Sequence, residues 1–124
     1  MADAAWMRVK PPAARLILQC DAAARGAAAA AWGVPFSAEP CRAQTQGERA
    51  TLWLGPDEHL LWQGSRDIAQ RIAELELALA THPHSLVDVS HRQVALDIFG
   101  RHAATILAGA CPLDLDLGEF PVQM

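Results

Sequence analysis

The chain has 124 residues, 52 % of them hydrophobic and 19 % charged, with a formal net charge of −4. That length suits one domain, and the composition supplies a core while excluding a disordered polyelectrolyte. The acidic balance excludes nonspecific nucleic-acid binding, which needs a basic face to release counterions, and no apolar run approaches the ~18 residues of a bilayer span.

Met1–Ala14 reads as a lead-in ending at Pro11-Pro12, either poorly ordered or held by a partner. It lacks the apolar stretch of a secretory signal. With no CxxC motif, Cys20, Cys41 and Cys111 are expected to be reduced thiols in a cytoplasmic protein. Arg15–Cys20 is a short strand. Asp21 is an expected N-cap for a nearly pure alanine helix over Ala22–Trp32, which Gly33 ends and Pro35 prevents from restarting. Arg42–Thr45 and Ala50–Leu54 read as extended. Gly55-Pro56-Asp57-Glu58 is a turn, because proline presets φ at its second position, and His59–Gln63 returns.

Pairing symmetrically across that turn places Thr51, Trp53, Leu60 and Trp62 on one face and Leu52, Leu54, His59 and Leu61 on the other. Both faces are apolar, unlike a sheet with one wet face. Two readings stand. Trp53 and Trp62 are both core, or one face packs on helices while Trp53, Leu60 and Trp62 form an interface with another domain or subunit.

Ser65 is the expected cap of a helix over Arg66–Ala80, whose stripe Ile68, Ile72, Leu75 and Leu79 recurs at three- and four-residue steps. Asp67 precedes Arg71 by four, a favourable ion-pair order. Ser85–Val89 and Val94–Phe99 are strands. Gly100 opens a helix to Ala108, and an acidic tail follows. The order from Arg15 to Val89 is βαββαβ, so the chain is α+β. It divides into a lead-in (1–14), a ferredoxin-like unit (15–92) and the start of a second βα repeat with its tail (93–124).

Candidate chemistry is sparse. Asp88, Ser90 and His91 invite a triad reading, but strand alternation points Asp88 and Ser90 one way and His91 the other, whereas a triad needs base and nucleophile to meet. Ser90 is expected to be a local hydrogen-bonder. His82 and His84 are two potential metal ligands where zinc needs three or four. Asp114, Asp116 and Glu119 lack the spacing of a calcium loop. Asp97 either pairs with an arginine across an interface or faces water. Cys20 and Cys111 are expected to be buried thiols, and no glycine pattern marks a nucleotide site. No catalytic, cofactor or metal residue is assigned.

Val87-Asp-Val-Ser-His91 followed by Val94-Ala-Leu-Asp-Ile-Phe-Gly100 resembles the Asp-Val-Ser-His signature of the aminomethyltransferase superfamily, carried here by Asp88, Ser90, His91 and Gly100. With Leu52-Trp-Leu-Gly-Pro-Asp-Glu-His-Leu-Leu61, Cys111-Pro-Leu-Asp-Leu115 and Phe120-Pro121, the pattern is similar to the gamma subunits of heterotetrameric sarcosine oxidases over Arg15 to Met124. His59 departs from that pattern, which has an aromatic there, and implies a weaker contact. The family continues past Phe-Pro and completes the second repeat, so the chain is expected to be a truncated gene product, a fragment or a divergent short form.

The resemblance implies a folate-transferase-like fold and a non-catalytic gamma subunit that helps assemble the flavin-bearing subunits. No turnover is expected from the chain alone. The implied complex oxidises sarcosine to glycine with oxygen, yields hydrogen peroxide, and releases the one-carbon unit as formaldehyde or passes it to tetrahydrofolate. FAD, FMN, NAD and zinc are implied on other subunits, and the implied partners are the alpha, beta and delta subunits. The alternatives are a stand-alone folate or small-acid binding module and, less fitting for an acidic chain, a generic ferredoxin-like regulator or RNA binder.

Overall fold

The computed structural model describes residues 5–124. In chain order the elements are β1 (Trp6–Val9), β2 (Ala14–Cys20), α1 (Arg25–Trp32), β3 (Ala43–Gln46), β4 (Arg49–Gly55), β5 (Glu58–Gln63), α2 (Ala69–Leu79), β6 (His84–Asp88), a 3₁₀ turn (Ser90–Arg92), β7 (Leu96–Phe99) and α3 (Ala103–Ala108). They form two compact units. One is Pro12–Gln93; the other takes Val94–Met124 with the described N-terminal residues up to Pro11.

The larger unit is an antiparallel sheet in the order β3-β4-β5-β2-β6. Its last four strands have ferredoxin-like order, and β3 adds an edge. Alternation along β2 turns Leu16, Leu18 and Cys20 to one face, where they are buried with Leu61 against Ala24, Ala28 and Trp32 of the α1 layer and Leu75 and Leu79 of α2. Small alanines let α1 lie close to both the sheet and α2. The stripe read from the sequence is the stripe that packs: Leu75 and Leu79 are fully buried, Ile68 nearly so, and Ile72 lies against the core.

Helix ends differ from expectation for local reasons. The Asp21 carboxylate accepts the Ala24 N–H at 3.0 Å, so its capping is spent on a preceding turn and α1 begins at Arg25. Gly33 ends α1 as expected, at φ +80°, with its N–H donating to Ala29 O at 2.8 Å. Before α2, Ser65 Oγ accepts the Asp67 N–H at 3.2 Å, and the Gln63 amide donates to the carbonyls of Ser65 and Asp67. These bonds hold residues 65–67 in a turn and delay the helix to Ala69. Arg71 pairs with Glu74 at 2.7 Å rather than with Asp67.

The hairpin register departs from symmetry. Trp53 faces His59 and Gly55 faces Glu58, so Leu54 is an extra residue forming a bulge on β4. One inserted residue shifts all pairing beyond it. Thr51 then opposes Leu61, Leu52 opposes Leu60, and Ala50 opposes Trp62. Trp53 and Trp62 therefore lie on opposite faces, correcting the shared face read from the sequence.

In the second unit β1 pairs antiparallel with β7, Trp6 to Phe99 and Val9 to Leu96. The expected lead-in thus contributes a strand, and the strand that opens the second repeat finds its partner near the other end of the sequence. Asp97 pairs with Arg8 at 2.8 Å and Lys10 at 3.5 Å, both within the chain. Gly100, at φ +110°, turns the chain out of β7 towards α3.

Candidate functional site

The face of the larger sheet opposite α1 and α2 carries an apolar row in register. Leu52 of β4, Leu60 of β5, Ile17 of β2 and Val87 of β6 stand side by side across four strands. A second row holds Ala50, Trp62 and Arg15. Leu52, Leu60, Ile17 and Trp62 are half-buried and Val87 is 43 % exposed. Neither helix of this unit lies on that face. Of the candidate interface residues, Leu60 and Trp62 belong here. Trp53 belongs to the helix side, beside His59.

The Asp-Val-Ser-His stretch builds a clip. Ser90 Oγ lies 2.5 Å from Asp88 Oδ1 and accepts the Arg15 main-chain N–H at 2.9 Å, while the Ser90 N–H donates to Asp88 at 2.9 Å. The Val89 N–H donates to Arg15 O at 2.9 Å. The clip fastens the end of β6 to the start of β2. The Ser90 bonds hold the Asp88 carboxyl below the usual carboxylate range, His91 contributing less. No hydrogen bond joins exposed His91 to Ser90 Oγ, so the serine–histidine contact of a triad is not formed. Ser90 is the local hydrogen-bonder that strand geometry implied.

The two histidines after α2 serve structure. His84 Nδ1 lies 2.8 Å from His82 O and Nε2 lies 2.8 Å from a Glu76 carboxylate oxygen. Both contacts are acceptors, so both nitrogens carry protons when both bonds form, and the pKa is raised by the His82 carbonyl first and by Glu76 next. In the tail, Asp114 accepts the Asp116 N–H at 3.0 Å and Asp116 accepts the Gly118 N–H at 2.9 Å, turns that use their oxygens locally. Among the described residues no group of three or more His, Cys, Asp or Glu side chains could hold a metal. Cys20 is buried, which pushes its thiol pKa up against the opposing charge of Arg25; Cys41 is exposed and Cys111 half-buried.

Two features had no sequence signal beyond residue type. Arg49 and Arg71 meet at the C-terminal end of α1. Arg49 donates to Trp32 O and Arg71 to Ala31 O at 3.4 Å, so two cations cap its negative end. They line a polar cleft of about 460 Å³ with Gln46, Glu48, Gln63 and Gln70. The other feature is His59. It is 1 % exposed, and its ring stacks on Phe36 with centroids 4.9 Å apart. The contact implied to be weaker at this position is a ring stack.

No family model matches the sequence. Sarcosine oxidase subunit gamma of Corynebacterium sp. strain U-96 is 35 % identical over 97 residues, 78 % of this chain and 46 % of that one. The subunit of the same name from strain P-1 is 37 % identical over 75 residues, 60 % of this chain and 36 % of that one. The chain therefore spans about half the length, or less, of the curated relatives it matches. Among solved structures, heterotetrameric sarcosine oxidase from Corynebacterium sp. U-96 in complex with pyrrole 2-carboxylate matches with a TM-score of 0.87 at 31 % identity. That match covers 97 % of this chain and 62 % of the other. Glycine cleavage system aminomethyltransferase T from Bartonella henselae matches with a TM-score of 0.62 at 16 % identity, covering 87 % of this chain and 32 % of that one, and shows the shared fold.

Proposed function

The chain is a relative of the sarcosine oxidase gamma subunits, and from that kinship we propose that it serves as a small non-catalytic subunit of a heterotetrameric sarcosine oxidase. The observation that carries this reading is the structural match over nearly the whole chain. The complex would oxidise sarcosine to glycine, reduce oxygen to hydrogen peroxide, and release the one-carbon unit as formaldehyde or pass it to tetrahydrofolate. FAD, FMN, NAD and zinc would reside on the alpha, beta and delta subunits. This chain would bind none of them and would stabilise the flavin-bearing subunits in the cytoplasm. No helix among the described residues is long and apolar enough to cross a membrane.

The docking surface on this reading is the helix-free face bearing Leu60 and Trp62. An apolar row spanning four strands is costly to leave in water and suits a protein interface. Co-expression of the tagged chain with the other three subunits tests the proposal. The expected result is a yellow complex of fixed subunit ratio. A colourless chain that elutes alone, with the other subunits assembled without it, overturns it.

The polar cleft at Arg49 and Arg71 favours a second reading, a small-acid binding module. Both guanidiniums already serve carbonyls of α1, which weakens it. Tetrahydrofolate or a small carboxylate that leaves the melting temperature unmoved removes it.

A further inference from the structure

His59 is the one histidine among the described residues whose two ring nitrogens are both buried and without a hydrogen-bond partner. Its surroundings are specific. Leu18 of β2 and Trp53 of β4 stand on either side of it in the sheet, and Phe36 lies flat over the ring with an interplanar angle of 18°. Arg25 of α1 and Asp57 of the β4–β5 turn are the charged groups that act on it, with opposite sign. Cys20, next on the same face of β2, is kept neutral by burial. The Ser37 backbone comes near without reaching hydrogen-bond geometry. A protonated imidazole is favoured only by the nearby Ser37 backbone and, less, by Asp57, whose carboxylate is already engaged by Arg25 at 3.3 Å, and burial outweighs both.

The cover is lightly built. Phe36 is only half-buried, and it belongs to the segment between α1 and β3. That segment is pinned at two points. Thr51 Oγ1 donates to Pro35 O at 2.6 Å behind buried Val34, and the Trp53 N–H donates to Arg42 O at 3.0 Å. Between the pins, residues 36–41 are held by a Ser37–Glu39 turn, the exposed Glu39–Arg42 ion pair at 3.5 Å, and Phe36, which stacks on His59 and packs against the edge of the core. The ring can therefore reach water by lifting one segment, without parting the helices from the sheet.

We propose that His59 is an acid-triggered latch for residues 36–41: a proton taken up by its ring expels Phe36 from the sheet and swings this segment outward between Pro35 and Arg42. Burial without a hydrogen-bond partner makes the closed state favour the neutral ring. Each unit of pH below the latch's open-state pKa then raises the open-to-closed ratio up to tenfold, until the closed state itself titrates. The latch lies on the helix side of the sheet, opposite the Leu60–Trp62 face.

Proton NMR of the full chain between pH 7.5 and 5 tests this. The expected result is loss of the His59–Phe36 ring contacts and of the Phe36 stacking shift at a single midpoint below 6.5. Leu16 and Leu61 methyl signals and far-UV circular dichroism should hold steady. In His59→Leu the Phe36 signals should be independent of pH. Phe36→Ala, at the rim of the core, should raise the His59 midpoint towards 6.5. Phe36 signals that stay fixed while His59 titrates overturn the latch, as does the same pH response in His59→Leu. Cooperative loss of circular dichroism at the His59 midpoint replaces local release with global unfolding and also overturns it.

Discussion

Arg49 and Trp32 hold each other twice. The Arg49 guanidinium donates to the Trp32 carbonyl and lies 5.9 Å from the indole centroid, while the indole N–H donates to Ala50 O at 3.1 Å. The last residue of α1 is thereby fastened to the first two residues of β4. Gly33 completes the joint, because a Cβ there would come 3.0 Å from Arg49 Nη1 at a φ that favours glycine. Arg49→Met should cost about 1.5–3 kcal/mol, the range for hydrogen bonds to charged groups. Arg49→Lys should recover part of this, since it restores the charge and not the planar fork. Gly33→Ala should cost about 1–3 kcal/mol. Urea titration checks all three, and a shifted midpoint at constant slope is the expected signature. An unshifted midpoint for Arg49→Met would mean the joint is held by packing alone.

This joint also marks the limit of what a sequence shows. Gly33 as a helix stop, and Leu75 and Leu79 as a buried stripe, follow from local rules and were legible. The hairpin faces were not, because one bulged residue, Leu54, puts Trp53 and Trp62 on opposite faces, and period-two patterning cannot locate an insertion. The pairing of β1 with β7 was not, because no local signal links Trp6 to Phe99. The Ser90 clip was half legible: strand geometry implied a local hydrogen-bonder, while its bond to the Arg15 main chain is long-range. Of the candidate interface, Leu60 and Trp62 share a face as read, and Trp53 does not.

His84 sets an alkaline limit on stability. Its folded pKa is raised above 6.5 by the His82 carbonyl and Glu76. A raised pKa means the folded state holds the proton more tightly. Its contribution is therefore complete below 6.5 and is lost as pH rises through the folded value. Glu76→Gln should flatten that limb of the stability curve and lower the His84 midpoint, read by NMR titration. An unchanged midpoint would assign the raised pKa to the His82 carbonyl alone.

The Ser90 clip acts at the other end of the scale. Asp88 has a folded pKa below 3.8, so its contribution is present above that value and is lost as pH falls through the folded one. Ser90→Ala removes the acceptor for the Arg15 N–H and should cost about 1–3 kcal/mol. Ser90→Ala should also return the Asp88 pKa upward, because both of its principal hydrogen bonds come from Ser90. His91→Ala should leave stability within about 0.5 kcal/mol, as an exposed substitution does. A large loss in His91→Ala with none in Ser90→Ala would reverse the roles given to these residues.

The two faces of the hairpin make opposite predictions for assembly. Leu60 and Trp62 are half-buried on the helix-free side, so polar replacements remove little of the chain's own packing. Leu60→Gln and Trp62→Gln should each change the chain's stability by under about 1.5 kcal/mol, the scale for a partly buried apolar side chain. If that side docks on the larger subunits, Trp62→Gln should weaken association roughly 30-fold, as expected for a central aromatic anchor worth about 2 kcal/mol. Trp53 sits on the helix side beside His59. Trp53 is also half-buried, so Trp53→Ala should destabilise the chain itself by about 1–2 kcal/mol through lost apolar burial, and should leave association unchanged under conditions where the variant is folded. Titration of each purified variant against the remaining subunits, alongside its urea midpoint, separates the two effects. Loss of association in Trp53→Ala but not in Trp62→Gln would move the docking surface to the helix side.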